Sequence, residues 1–446
     1  MSQDQTITPL ERTQRWLRES LTVKLFIIGF IILLLLIPLA FVHDLVRERE
    51  ERQREAEHEV ANTWGTEQTF TGPFLTIPYY ESHTLGNGLR EVNNFPTFAH
   101  FLPDVLDVNT ELQTEIRSRG IFDVVVYTAI VKMTGSFSKP DMQSFTPYET
   151  VWNNAQLQLG LSDLRNLADL PQVQFGNESL SLQPGLNNED LAESGLAAPV
   201  IFSESDDKIN FSITLRVRGS RSIQLIPLGK ETTAHISGNW GSPSFQGSYL
   251  PEKKDITQKD FSANWKLLYM NRPYPQQFAG DRDEVRASAF GVDLKLPITD
   301  YQKNERSAKY AVLIIALTFI VFFFVQVLHK VRIHGIQFML AGLALCLFYV
   351  LLLSFTEHVG FNMAYFIAGL LTIGLITLYI KAIFKNSRLT VINFLLLTIV
   401  YGFVFVIIQL EEYALLVGSL GLFLVLAVTM YLSRNITWSE QMKSKE

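Results

Sequence analysis

Cysteine occurs once, at Cys346 inside a long apolar run, so no disulfide can form within this chain of 446 residues. Residues 43–309 contain no cysteine and must be held by their own core. A chain of that length buries roughly 70–75% of its unfolded surface, which is ample. Proline is nearly absent from the apolar runs: Pro38 is the only one within six of them. Ionisable residues at mid-run are almost as rare. Together these absences weigh against a transporter built on broken helices and buried charges. Positive charge is in deficit, 38 basic against 44 acidic residues for a net −6, which speaks against a nucleic-acid binder.

Catalytic patterns are also lacking. There is no Gly-x-Ser-x-Gly elbow and no phosphate-binding Walker loop. His58-Glu59 begins like a zinc-protease motif, but Asn62 occupies the place of the second histidine, so the ligand pair is missing. Ser136-Phe-Ser-Lys139 fits Ser-x-x-Lys, and so does Ser205-Asp-Asp-Lys208; two matches in one chain show how little the pattern demands. His43, His58, His83, His100, His235 and His329 form no spaced set. No metal, no cofactor and no catalytic residue is expected.

Long apolar runs are abundant. Leu25–Val42 stands near the N-terminus, and Tyr310–Leu328, Ile336–Ser354, Phe361–Ile380, Leu389–Ile408 and Tyr413–Leu432 follow in the last third. About 20 residues at 1.5 Å rise cross the hydrocarbon of a bilayer, so these read as six transmembrane helices, one N-terminal and five C-terminal. Charge alternates between the last five. Lys330 and Arg332 follow the first of them, Lys381, Lys385 and Arg388 follow the third, and Arg434, Lys443 and Lys445 follow the fifth. The intervening links, Phe355–Gly360 and Gln409–Glu412, hold only Glu357, Glu411 and Glu412 as full charges. By the positive-inside rule both termini, residues 1–24 and 433–446, are cytoplasmic and residues 43–309 lie outside.

Between the first two runs the pattern changes twice. Residues 44–64 are rich in Arg and Glu at helical spacing, with Glu48–Arg52 and Glu50–Arg54 in the favourable acid-first order, and predict a charged helical stalk. From Gly72 onward the period is two. Ile209, Phe211, Ile213, Leu215 and Val217 alternate with polar residues, and Leu157, Leu159 and Leu161 alternate with Gln158 and Gly160, both reading as half-buried strands. Ile121–Met133 reads as a strand buried on both faces. Short helices are expected near Asp163–Leu170 and Glu189–Ser194, and Phe290–Ile298 is expected to pair with Phe74–Tyr79. The fold class is thus an α+β membrane protein whose large, mostly antiparallel β domain is sandwich-like. The segment from about Trp64 to Asp300 should fold by itself.

The candidate functional residues sit at the outer ends of the spans: Ser354, Glu357 and His358 in one link, Glu411 and Glu412 in the other. Carboxylates this close to lipid need water or a partner, and His358 could supply one. Ala414, Gly418 and Gly421 form a small-residue stripe for close helix packing, repeated in Ala364 and Ala368. Gln326 and Asn393 are expected to make interhelical hydrogen bonds.

Ser354-Phe-Thr-Glu-His-Val-Gly-Phe361 and Gln409-Leu-Glu-Glu-Tyr-Ala-Leu-Leu-Val-Gly-Ser-Leu-Gly421 resemble signature segments of the CreD inner-membrane family. Phe290-Gly-Val-Asp-Leu, Pro297-Ile-Thr-Asp-Tyr, Arg306-Ser-Ala-Lys-Tyr310, Gly72-Pro-Phe-Leu-Thr-Ile-Pro78 and Pro243-Ser-Phe-Gln-Gly extend the likeness over nearly the whole chain. The resemblance implies a Gram-negative inner-membrane protein with a periplasmic domain, linked to envelope integrity, colicin tolerance and β-lactam stress under a two-component regulator. The family has no established catalytic residues to carry over. The reading that follows is a non-enzymatic envelope-integrity protein that binds a periplasmic protein or a lipid or cell-wall component, with the bilayer as its other partner and homo-oligomerisation open. A transporter or channel, and a periplasmic lipid- or wall-modifying enzyme, are the alternatives. The charge alternation is directly testable: a periplasm-active reporter fused after Pro251 should be active and one after Lys385 silent, and the reverse pattern would overturn the orientation.

Overall fold

A computed structural model describes residues 21–84, 90–145, 147–201, 207–295, 300–329, 333–384, 386–410 and 413–434. The chain divides into two compact units, Gln53–Pro297 and the pair of segments Met1–Arg52 and Ile298–Glu446. Helix α1, Leu21–Trp64, runs unbroken through the expected membrane span and stalk, with Pro38 inside it. Its Glu48–Arg52 ion pair forms at 3.1 Å.

The unit Gln53–Pro297 is built on two large sheets around one core, and also holds a two-stranded ribbon, Ser82–Thr84 with Arg90–Val92. Gln68–Tyr80 is central in the ten-stranded sheet. Gln156–Leu161 and then Gly195–Pro199 lie antiparallel on one side of it. Ser222–Leu225 pairs in parallel on the other, followed by Phe290–Leu294 and Pro243–Gly247. Thr97–Phe101 pairs antiparallel further along the central strand. The eight-stranded sheet is built on a long hairpin, Val105–Arg119 with Phe122–Ser138. Lys208–Ser220 flanks the hairpin on one side, and Glu231–Gly238 on the other pairs in parallel with Val105–Leu112. Phe70, Phe74, Leu75 and Ile77 of the first sheet join Leu106, Val108, Tyr127 and Ile213 of the second in a single apolar cluster. Burying each such side chain contributes about 1.5–3 kcal/mol. Tyr127 crosses between the layers, donating from its hydroxyl to the Ser222 carbonyl at 2.6 Å.

Alternation in Lys208–Ser220 survives as read, odd-numbered residues inward. Three other readings change. Gln158 and Gly160 are buried along with their leucine neighbours, because their strand is covered on both faces and Gln158 is taken up by Thr76. Phe122–Ser138 is continuously buried only over Val124–Tyr127 and alternates beyond, Ile130 and Lys132 facing out. Phe290–Leu294 pairs with Ser222–Leu225 and Pro243–Gly247 instead of the central strand, whose own edges are already occupied.

Of the two short helices expected, Leu164–Asn166 forms as a single 3-10 turn capped by Asp163, whose side chain accepts from Arg165 N–H. The Asp163–Arg165 hydrogen bond holds that carboxyl below its usual range. Glu189–Ser194 forms no helix. Its carbonyls are claimed by tertiary partners, Glu189 and Asp190 by Arg286 and Ser194 by the Leu161 N–H. The short helix α2, Asp283–Ala287, lies elsewhere.

Helix α3, Asp300–Lys309, opens the membrane unit and is followed by α4 (Ala311–Leu328), α5 (Gly335–Val359), α6 (Phe361–Phe384), α7 (Ser387–Gln409) and α8 (Ala414–Ser433). Six of its helices, α1 and α4–α8, are long and apolar enough to cross a membrane. Leu35 and Phe319 approach Gly342, where an added Cβ would lie 2.2 Å from the Leu35 side chain. Ala364 and Ala368 are fully buried, as close packing requires. Asn393 is also fully buried, but among the described residues neither end of its amide finds a partner, contrary to the expected interhelical bond.

The stalk's last turns belong with the sheets. Trp64 lies between two guanidinium groups, Arg117 at 3.5 Å and Arg218 at 4.7 Å from its ring, and donates from Nε1 to the Tyr127 carbonyl. Glu59 pairs with Arg119 at 2.9 Å. Residues 53–297 expressed alone should therefore fold cooperatively with a strand-dominated circular dichroism spectrum. In that fragment Trp64→Ala should cost about 1–2 kcal/mol and Phe137→Ala, at a core position, about 3–5 kcal/mol. No measurable cost of Trp64→Ala in denaturant titrations, with Phe137→Ala costing its full amount, would show that the Trp64 stack does not anchor the stalk.

Candidate functional site

Helix α3 has the sequence Asp-Tyr-Gln-Lys-Asn-Glu-Arg-Ser-Ala-Lys, too polar to enter lipid, yet Asn304, Ser307 and Ala308 are buried on one face of it. That face packs on the membrane helices, chiefly α5 and α7. Asp300, at its first turn, accepts from the Phe361 N–H at 3.1 Å and so caps α6, whose first amides have no partner within the helix. The preceding residue, Gly360, has φ +75°, a turn conformation glycine adopts without strain. Thr356 donates to the Leu352 carbonyl at 2.6 Å, and its hydroxyl also lies 3.4 Å from Asn304 Oδ1. Among the described residues, Asn304 Nδ2 and Ser307 Oγ have no partner although both are buried.

Glu357 is the charged centre of this polar collar. Its side chain is only 14% exposed, and Arg49 of α1 approaches it at 3.4 Å. The contact is an ion pair without hydrogen-bond alignment, so Glu357 Oε1 remains unsatisfied. Burial, reinforced by Glu357 and Asp300 and opposed by Arg49, pushes the Tyr301 phenol up to about 12. It stays a neutral donor throughout the physiological range.

Of the five residues singled out in the sequence, the structure thus brings Glu357 into a charge cluster, with Arg49 and not His358 as the nearby cation. Ser354 and His358 lie on the exposed side of α5. Glu411 and Glu412 fall outside the described residues. In the packing stripe Gly421 presses on Phe403, where an added Cβ would sit 2.0 Å from the ring, and Gly418 faces Ile407 at 3.9 Å. Ala414 is half-buried at the same end of α8. Arg49, Asp300, Tyr301 and Asn304 escaped the sequence reading. For the first nothing local signals a partner more than 300 positions away; for the others the signal was the polar stripe of residues 300–309.

A second buried network lies in the sheet unit. His100 is fully buried. Its Nε2 donates to Asp190 Oδ2 at 2.9 Å, and its Nδ1 lies 3.1 Å from Thr76 Oγ1, which also reaches Gln158 Oε1 at 3.2 Å. A hydroxyl, an imidazole and a carboxylate in line have the order of a nucleophile relay. Thr76, however, is fully buried in the central strand between the equally buried Leu75 and Ile77, closed to an acyl substrate. The line ties the central strand to the Asn188–Asp190 bend instead. Of the two Ser-x-x-Lys matches, Ser136 is buried in its strand and Ser205 lies outside the described residues.

The collar makes an asymmetric prediction. Arg49→Ala strands a part-buried carboxylate and should lower stability in detergent by about 1–3 kcal/mol. Glu357→Gln keeps the shape and should cost less, and adding it to Arg49→Ala should restore part of the loss. Equal effects with no recovery in thermal unfolding would refute the pairing.

The sequence signature described as Inner membrane protein CreD matches residues 20–439. Inner membrane protein CreD of Escherichia coli (strain K12) is 29% identical over 416 residues, covering 91% of each chain. Among solved structures, an M1 zinc metallopeptidase from Deinococcus radiodurans aligns over 43% of this chain and 42% of its own, with TM-score 0.20 and 6% identity. Yeast LTA4 hydrolase in complex with bestatin aligns over 48% and 34%, with TM-score 0.19 and 12% identity. Likenesses that weak bear neither on fold nor on activity, and neither the family nor the E. coli relative is named as an enzyme. With its signature matched almost end to end and six apolar helices in place, the chain is a multi-pass inner-membrane protein belonging to the CreD family.

Proposed function

We propose that this protein maintains the cell envelope without catalysis, its β-rich unit facing the periplasm and holding an envelope protein there. The observation behind this reading is a set of large apolar side chains at one end of the ten-stranded sheet. The central strand ends at Tyr79 and Tyr80, which pair with Thr97 on one side and with Glu149–Thr150 on the other. Phe95 precedes the first of these partners, and Tyr148 and Trp152 bracket the second. Ile201 follows Val200, whose N–H bonds to Ala155 just past Trp152. Phe95 is 84% and Ile201 85% exposed, and Tyr148 and Trp152 are also exposed.

Single exposed apolar residues are ordinary, but four at one end of a sheet mark a docking surface. Aromatic residues are favoured there because they contribute much contact area with few rotors to freeze. The polar set at the outer ends of the membrane helices, Ser354, Glu357, His358, Glu411 and Glu412, is the second element of this reading. On that view it receives the response of the occupied periplasmic unit at the bilayer surface.

A photocrosslinking amino acid at position 95 or 201 in intact cells should capture a discrete envelope protein, and one at the equally exposed Leu170 should not. Phe95→Ser with Ile201→Ser should abolish capture and lower envelope tolerance at normal abundance. Capture at Leu170 alone, or intact tolerance in the double variant, would overturn the assignment.

A further inference from the structure

We propose that the groove between α6 and α7 holds one acyl chain of a bilayer phospholipid, its anionic head group at the outer end beside Lys303. The groove has a volume of about 280 Å³, and every residue lining it belongs to α6 or α7. Two glycines create it. At Gly402 an added Cβ would meet nothing within 4 Å, and at Gly369 it would reach only the Tyr401 ring, at 3.7 Å. Its length follows from the helices: Asn362 at one end and Ile373 at the other are eleven positions apart, about 16 Å along α6.

Three observations select the occupant. The side wall includes Phe366 and Leu370, both exposed on the outer surface of an apolar span, so the groove is continuous with the face that meets the bilayer. Hydrocarbon is the medium that reaches it there, and leaving the groove empty would forfeit van der Waals contact along both walls. The inner part is lined by apolar and aromatic groups, including Ile373, Phe394 and Phe405, whereas the outer end carries an amide pair, Gln409 donating to Asn362. That division matches an amphiphile lying parallel to the helices.

Charge at the outer end is complementary to phosphate. Lys303 lies 5.9 Å from the Phe361 ring and 4.0 Å from the Asp300 carboxylate, a loose pair that a phosphate can share, and Phe361 packs at a tilt against Tyr365 of the groove wall. Helix α3 as a whole carries Lys303, Arg306 and Lys309 against Asp300 and Glu305, a net charge of +1. A chain in the groove gains little over a chain in bulk lipid, since both surroundings are equally apolar. Selection among lipids therefore rests on the head group. One basic side chain near the surface favours an anionic lipid over a zwitterionic one by roughly fivefold. This inference rests on the membrane unit alone and stands apart from the periplasmic docking surface.

The test uses the full chain in nanodiscs containing phosphatidylglycerol or phosphatidylcholine, each with a diazirine in the acyl chain. Labelling should concentrate on peptides spanning 365–373 and 394–405 and should favour phosphatidylglycerol by roughly fivefold. Gly369→Leu with Gly402→Leu should reduce it to the level of α8, and Lys303→Gln should remove the head-group preference while chain labelling persists. Unlabelled phosphatidylglycerol should compete in the unaltered protein, which keeps the test independent of how the leucine variant folds. Even labelling of all exposed helices, or no competition, would overturn the site. So would crosslinks between copies of the chain at Phe366 that vanish in the leucine variant, since a partner helix would then be the occupant. Persistent preference in Lys303→Gln would overturn the head-group assignment.

Discussion

Hydrocarbon cannot hydrogen-bond, and this one constraint organises the membrane unit. Every backbone amide and carbonyl at depth must be satisfied within its own segment, which leaves helices as the elements the apolar runs can form. The constraint then moves to the helix ends, where the first amides and last carbonyls have no internal partner. The ends are met one by one. Asp300 accepts from the first amide of α6, Asn386 accepts from Arg388 N–H at the start of α7, and Gln337 accepts from His334 N–H at the start of α5. The collar around Glu357 is this capping system with charge added. Helix α3 is polar in composition and buried on one face because it supplies what the neighbouring spans lack at that end.

The sheet unit solves the opposite problem. Its strands satisfy their backbones by pairing, and the cost falls on polar side chains trapped between layers. Thr76, His100 and Gln158 are all fully buried in the ten-stranded sheet, yet each reaches another, and Asp190 closes the line from a bend. A satisfied network of this kind defines one register, whereas an unsatisfied one would cost more than an apolar core. The chemistry looks catalytic in list form. Burial of the threonine makes it structural.

Both of the sites proposed above are surfaces. The apolar rim near Phe95 and the groove beside Gly369 differ in solvent, since one faces water and the other hydrocarbon. Exposed aromatics in water are costly and are relieved by a partner. In lipid they cost nothing, so occupancy of the groove rests on its shape and on charge at its mouth.

The sequence by itself determined the class of the long apolar runs and of the clearly alternating strands, but not of helix Asp300–Lys309 or strand Val105–Arg119. Six spans are legible because bilayer thickness sets their length, and the strand Lys208–Ser220 because one of its faces meets solvent and the other the core. Glu357 was legible as a charge close to lipid. Its cation was not: Arg49 lies on another helix, and nothing in the spacing of either residue points to the other. His100 escaped for the same reason, its carboxylate being 90 residues away. Gln158 and Gly160 read as an outward face, and only coverage by neighbouring strands decided that they are buried. Periodicity reports whether an element has two unlike sides. Which element covers each side, and which distant side chain meets a buried charge, is settled only when the layers pack.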